Sequence, residues 1–164
     1  MKTEWIIVDG YNMIHQEADG ASLMERDPFL ARRHLIRFLE DAVPALAEKI
    51  TVVFDGRNGR GEVDRFETSV VEVRFSPASS SADSVIEGLV ANDAKPARIL
   101  VVTSDNLEAN AVSGSGAAAI RCEYFIDQIK SLRKRSGAVR ATSGKRRSPG
   151  LGTIGDVFPK RDSS

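Results

Sequence analysis

Three short apolar runs in this 164-residue chain end at an aspartate, and that repeated ending limits the possible folds more than any other feature. Trp5-Ile6-Ile7-Val8 stops at Asp9, and Thr51-Val52-Val53-Phe54 stops at Asp55. Ile99-Leu100-Val101-Val102 runs through Thr103 and Ser104 to Asp105. The runs are rich in β-branched residues and lack polar alternation, the pattern of strands covered on both faces. Such strands form a parallel sheet between helices. A fourth run, Ser69 to Phe75, alternates Val71, Val73 and Phe75 with Glu72 and Arg74. It is expected nearer an edge of the sheet.

Helical patterns lie between the runs. Asp27-Pro28 supplies an N-cap and a first-turn proline, after which Leu35, Phe38, Leu39, Ala42, Val43 and Leu46 recur at helical spacing. Pro44 is expected to kink or end that helix. A second helix should follow Ser79-Ser80-Ser81 and reach about Asn92. A third should begin near Asn106 and fade at Ser113-Gly114-Ser115-Gly116. Ala118 to Cys122 reads as a short last strand and Phe125 to Arg133 as a last helix. The alternation predicts an α/β fold, a three-layer α/β/α sandwich with right-handed crossovers.

In such a sheet, ligands bind beyond the carboxyl ends of the strands. Asp9, Asp55 and Asp105 all fall there, so carboxylates distant in sequence should face one crevice. Asp83 and Glu87, four residues apart on the second helix, share a face and add two more. Clustered carboxylates repel, and a hard divalent cation such as Mg²⁺ or Mn²⁺ relieves the conflict. A site of this type can hydrolyse a phosphodiester. Simpler roles compete at each position. Asp9-Gly10 and Asp55-Gly56 fit turns, Asp105 with Glu108 and Ser80 with Asp83 fit capping pairs, and Glu87 fits a solvated helix face. Asn12 either holds Asp9 or a phosphate oxygen, or caps a short helix. Ser104 and Asn106 flank Asp105, where they either orient a water or carboxylate, or cap the helix that follows.

Charge is divided unevenly. The 23 Lys+Arg balance the 23 Asp+Glu, but residues 1–129 hold 13 basic against 21 acidic side chains, and residues 130–164 hold 10 against 2. An acidic body with a basic end points to an anionic partner. Residues 1–135 are read as the folded domain. Residues 136–164, rich in Ser, Gly, Lys, Arg and Pro, are expected to be a disordered tail whose basic run Lys145-Arg146-Arg147 is either a non-specific tether to RNA or a ribosome, or simply solvated. Arg57, Arg60 and Arg65 lie in a Gly-containing loop beside Asp55, either gripping RNA phosphates or simply solvated. Tyr11 either stacks on a base or packs under its loop, with packing favoured. His15 and His34 show no partner at catalytic or metal spacing and are assigned surface or loop roles. The single Cys122 cannot form an intrachain disulfide and reads as a small buried hydrophobe. No apolar run approaches the ~20 residues of a membrane span, and the N-terminus lacks the apolar core of a signal peptide. A cytoplasmic location without membrane association is therefore expected.

Val8-Asp9-Gly10-Tyr11-Asn12-Met13-Ile14, Val53-Phe54-Asp55-Gly56, Val73-Arg74-Phe75-Ser76 leading to Ser81-Ala82-Asp83-Ser84-Val85-Ile86-Glu87, and Val102-Thr103-Ser104-Asp105-Asn106 resemble, in order, the YacP-like NYN-domain proteins of the PIN-like nuclease group. The resemblance covers residues 4–134. It implies a PIN-like fold and a divalent-metal ribonuclease, endonucleolytic, acting on RNA in translation or turnover, including ribosome-associated RNA. It also implies that Asp9, Asp83 and Asp105 are the catalytic, metal-binding carboxylates, supported by Asn12, Asp55, Glu87 and Asn106. The segment Arg57 to Arg65 is short for the family, and the basic tail lies outside the match. Two rival readings stay open. One is an RNA- or ribosome-binding adaptor without catalysis. The other is a haloacid-dehalogenase-type phosphatase, disfavoured because Tyr11 stands where that chemistry needs a second Asp.

Overall fold

The computed structural model describes residues 2–56 and 70–147, with side chains described as far as Gly137. Among the described residues, five strands pair in one parallel sheet: β1 (Thr3–Asp9), β2 (Ala47–Phe54), β3 (Val71–Phe75), β4 (Ile99–Val102) and β5 (Ala118–Ile120), in the order β3-β2-β1-β4-β5. The three unbroken apolar runs occupy the middle of the sheet, and the alternating run is an edge strand, β3. Register places the strand ends together. Val8 pairs with both Val52 and Val102, so Asp9 emerges one residue beyond the shared level of β1 and β4.

Seven α-helices among the described residues connect the strands: α1 (Gly10–Gln16), α2 (Ala18–Arg26), α3 (Pro28–Glu40), α4 (Val43–Leu46), α5 (Ala82–Ala91), α6 (Asn106–Gly114) and α7 (Cys122–Arg147). On one face of the sheet, Trp5, Ile7, Val53, Ile99 and Val101 pack with Ala82, Ile86 and Val90 of α5 and Val112 of α6. Alternation sends Ile6, Val8, Val52 and Phe54 to the other face, where the Tyr11 ring of α1 lies 5.1 Å from Phe54. The result is the α/β/α sandwich expected from the sequence.

Local chemistry sets the helix boundaries. Asp27 caps α3 by accepting from Phe29 N–H (3.0 Å) and Leu30 N–H (3.4 Å), with Pro28 in the first turn. Pro44 sits in the first turn of the short α4, after α3 has ended at Glu40. The cap of α5 is Ser81, whose Oγ accepts from Ser84 N–H, rather than Ser80. Gly56 is required by close approach. A Cβ there would lie 2.1 Å from the Ser76 carbonyl oxygen, while Gly56 N–H donates to Ser76 Oγ at 2.9 Å. This contact ties the end of β2 to the end of β3.

The chain divides into two units, residues 1–128 and 129–164, and the sheet with helices α1 to α6 belongs to the first. The end of the chain departs from expectation. The last helix does not stop near Arg133 but runs to Arg147, into residues read from the sequence as tail. No proline interrupts residues 122–147, and Ala138, Arg140, Ala141 and Lys145 favour helix strongly enough to carry Gly137 and Gly144. Residues 148–164 lie outside the described residues. Among the described residues, no helix is long and apolar enough to cross a membrane.

Candidate metal centre

Strand ends and helix starts bring three acidic side chains together at the carboxyl edge of the sheet. Asp9 ends β1, Asp83 lies in the first turn of α5, and Glu108 lies in the first turn of α6. A carboxylate oxygen from each falls within 4.8 Å of the others. At that spacing each like-charged pair costs ~3 kcal/mol at an effective dielectric of about 20. Three full charges cannot persist there without a cation or a proton between them.

Glu108 decides what the group needs. It is 2% exposed, and both carboxylate oxygens are sealed from solvent with no hydrogen-bond donor. Burial, followed by the neighbouring Asp83 and Asp9 carboxyls, pushes its pKa up to about 11. Burial also raises Asp9, as do the charges of Asp83 and Asp105, against lowering contacts from Glu108 and Asn12 N–H. Without a cation, Glu108 therefore carries a proton that it can share with its two acidic neighbours. Oxygen-only donors from three elements, one of them buried with unsatisfied lone pairs, fit a hard divalent ion.

Glu108 is the residue that sequence reasoning missed. Its spacing from Asp105 suggested a capping pair, and half of that holds. Asp105 Oδ1 accepts from Leu107 N–H (2.9 Å) and Glu108 N–H (3.3 Å). The reciprocal contact is absent, because Asp105 N–H donates to Thr103 Oγ1 instead (3.1 Å). Glu108 turns inward, in line with buried Val112 one turn later. An acidic residue on the apolar stripe of α6 was the available signal. Asp105 stands outside the close group as the cap of α6, although its charge still acts on Asp9.

Asn12 braces the site. Its backbone N–H donates to Asp9 Oδ1 (3.4 Å), so Asp9 is the cap of α1. Its side-chain Oδ1 accepts from Ser104 N–H (2.6 Å) and from the Cys122 thiol (3.4 Å). Ser104 Oγ in turn donates to Glu123 and accepts from Cys122 N–H. Asn12 and Ser104 thus clamp the end of β1 to the end of β4 and the start of α7. Cys122 is fully buried, as expected, and burial pushes its thiol up to about 12, leaving it protonated.

Other expected site residues lie elsewhere. Asp55 is half-buried beyond β2 and is not drawn into the close group. Glu87 is exposed on α5, and Asn106 is exposed and accepts from Arg121 Nη1 at 3.4 Å. Tyr11 lies in the first turn of α1 rather than a loop and packs against Phe54, its hydroxyl accepting from Arg32 Nη1 at 3.0 Å. His34 corrects its surface assignment: its Nε2 lies 2.8 Å from the buried Glu17 carboxylate. Arg57, Arg60 and Arg65 lie outside the described residues. Lys145, Arg146 and Arg147 fall on the backbone of α7, with their side chains outside the described part.

Comparison with known proteins places this architecture. The YacP-like NYN domain matches residues 6–151. The chain belongs to the YacP-like NYN-domain family. The YacP protein of Bacillus subtilis, described as uncharacterized, is 29% identical over 131 residues, covering 79% of this chain and 77% of that one. A crystal structure of Bacillus subtilis Rae1 (YacP) superposes with a TM-score of 0.70 at 26% identity, covering 94% of this chain and 90% of that chain. A crystal structure of a tryptophan-to-leucine mutant of the same Bacillus protein gives 0.68 at 27% identity, covering 91% and 87%. The family carries the PIN-like fold and is nuclease-like, so family and carboxylate group both support a ribonuclease type of reaction.

Proposed function

We propose that this protein is a metal-dependent endoribonuclease that hydrolyses RNA phosphodiesters, with Mg²⁺ or Mn²⁺ held by Asp9, Asp83 and Glu108. The observation that carries the reading is Glu108, buried beside two other carboxylates with no donor for either oxygen. The cation, when bound, supplies an acidified water and neutralises charge on the scissile phosphate. The chain itself does the rest. Asn12 N–H and the Asn12 clamp fix Asp9 in place. Glu108 would hold the cation in its deprotonated form. Asp105 adds negative charge at the rim while holding the start of α6. The helical end, which bears Lys145, Arg146 and Arg147 and carries no acidic residue from 129 to 147, attracts RNA phosphates toward an acidic body. The substrate is RNA met in the cytoplasm, including ribosome-associated RNA.

The test is incubation of the full chain with single-stranded and structured RNA in Mn²⁺, Mg²⁺ or EDTA, beside Asp9→Asn and Glu108→Gln. Internal cleavage that needs the metal and both carboxylates is the expected result. Undiminished cleavage in EDTA, or by either variant, overturns it, as does intact RNA under every condition.

A further inference from the structure

The chain has two tyrosines, and they sit in opposite surroundings. Tyr11 is packed against Phe54, whereas Tyr124 is 67% exposed in the first turn of α7. Leu107, in the first turn of α6, is 81% exposed. A single exposed apolar side chain is ordinary. These two are the most exposed large hydrophobics among the described residues, and both rise from helix starts on the edge that holds the carboxylates. Leu107 directly precedes Glu108. Tyr124 lies two residues after Cys122, whose thiol donates to Asn12 Oδ1 (3.4 Å), and Asn12 N–H in turn donates to Asp9 Oδ1 (3.4 Å).

Polar contacts join the two helix starts. Arg121 donates from Nη1 to Asn106 Oδ1, next to Leu107, and from Nε to Glu123 Oε2 (3.1 Å), next to Tyr124. Arg121 is itself about half exposed. The two linked helix starts therefore present an aliphatic side chain, an ion-paired cation and an aromatic ring on the same edge of the sheet. That combination suits an unpaired base with its adjoining phosphate, since bases stack on aromatic faces and the cation meets the backbone.

We propose that Tyr124 and Leu107, on the two helix starts that Arg121 links, seat an unpaired base of the RNA strand whose phosphate lies at Asp9, Asp83 and Glu108. The inference rests on the ribonuclease reading and names where that site grips single-stranded substrate. Arg121 serves the neighbouring phosphate. Paired RNA, whose bases are already stacked, gains nothing from this seat, so the platform selects single-stranded segments.

Binding is measured apart from cleavage. An end-labelled single-stranded RNA 12-mer, a 12-mer of abasic nucleotides and a duplex are titrated against the full chain with Ca²⁺ replacing Mg²⁺ or Mn²⁺. Tyr124→Ala should weaken binding of the single strand about tenfold, with Tyr124→Phe close to the parent and Leu107→Ala intermediate. The abasic strand and the duplex should bind the parent and Tyr124→Ala alike. The emission of Tyr124→Trp should be quenched by the single strand and not by the abasic one; the native Trp5 is buried and gives a steady background. Equal binding of the single strand by the parent and Tyr124→Ala, or no binding by the parent, overturns the seat. Retained Mn²⁺-dependent cleavage alongside equal binding defeats the seat alone. Tyr124-dependent binding without cleavage in any metal defeats the ribonuclease reading and leaves the seat.

Discussion

Among the described residues, two groups have the donors of a metal site at suitable spacing, Asp9-Asp83-Glu108 and Glu17-Asp19-His34. They differ in what surrounds the buried glutamate. Glu17 caps α2, accepting from Gly20 N–H (2.8 Å) and Asp19 N–H (3.3 Å), and its Oε1 meets His34 Nε2 (2.8 Å). Burial works to raise its pKa, but these contacts outweigh burial and hold it below the usual carboxylate range. Glu108 has no such donors, and its pKa moves the other way. A carboxylate whose lone pairs are met by protein N–H groups holds the fold together. A buried one left unmet is configured for something the protein must bind.

The sharpest way to break this contrast is to remove one carboxylate of the first group. Asp9→Asn and Glu108→Gln should each lower RNA cleavage on the order of 100-fold or more while leaving the circular dichroism spectrum unchanged. Mn²⁺ should raise the Tm of the parent by mass action and leave that of Glu108→Gln unmoved. A Tm that still rises with Mn²⁺ in Glu108→Gln would place the ion elsewhere.

The brace should matter next. Asn12→Ala removes the acceptor for Ser104 N–H and the Cys122 thiol and leaves a partly buried N–H without a partner. Cleavage should fall about tenfold, with a stability loss of about 1 kcal/mol in urea. Asn12→Asp keeps the acceptor but adds a further carboxylate beside the acidic group. It should retain stability better than activity, which separates bracing from charge.

Much of this contrast was not legible in the sequence, and the reasons are physical. The central strands were readable because Ile6, Val8, Val52 and Val101 are covered on both faces and leave an unbroken apolar run. Asp9 and Asp83 were readable because strand ends and first helical turns share one edge in a parallel sheet. Glu108 was not, because a glutamate three residues after an aspartate cap resembles the partner of that cap, and only packing shows that it turns inward. Glu17 and His34 are 17 residues apart, and the packing of α3 back against α1 and α2 that unites them leaves no periodic trace. The length of α7 was missed because Ser136, Gly137 and Gly144 weaken the helical pattern without breaking it.

On the other side of the contrast, Glu17→Ala should destabilise the fold by about 1–2 kcal/mol, through loss of a helix cap and of the His34 partner. Cleavage of RNA by the folded fraction should stay at the parental rate, and Mn²⁺ should still raise Tm. A loss of activity larger than the loss of folded protein would show that this second group serves the reaction.

The smallest effect separates charge from shape at the same residue. Because folding holds Glu17 below its ordinary pKa, the unfolded chain binds the proton more readily. Its contribution is therefore complete above the unfolded carboxylate range, about pH 4.3, and is lost as pH falls through the lower, folded value. Glu17→Gln keeps an amide oxygen as cap but has no proton to take up. In urea unfolding between about pH 7 and pH 3, with a chelator present, the parent should lose stability more steeply than Glu17→Gln, and the two curves should converge as the acid limb is reached. Parallel curves would mean that the Glu17 contacts act through shape alone, and the difference between the two glutamates would then rest only on Glu108.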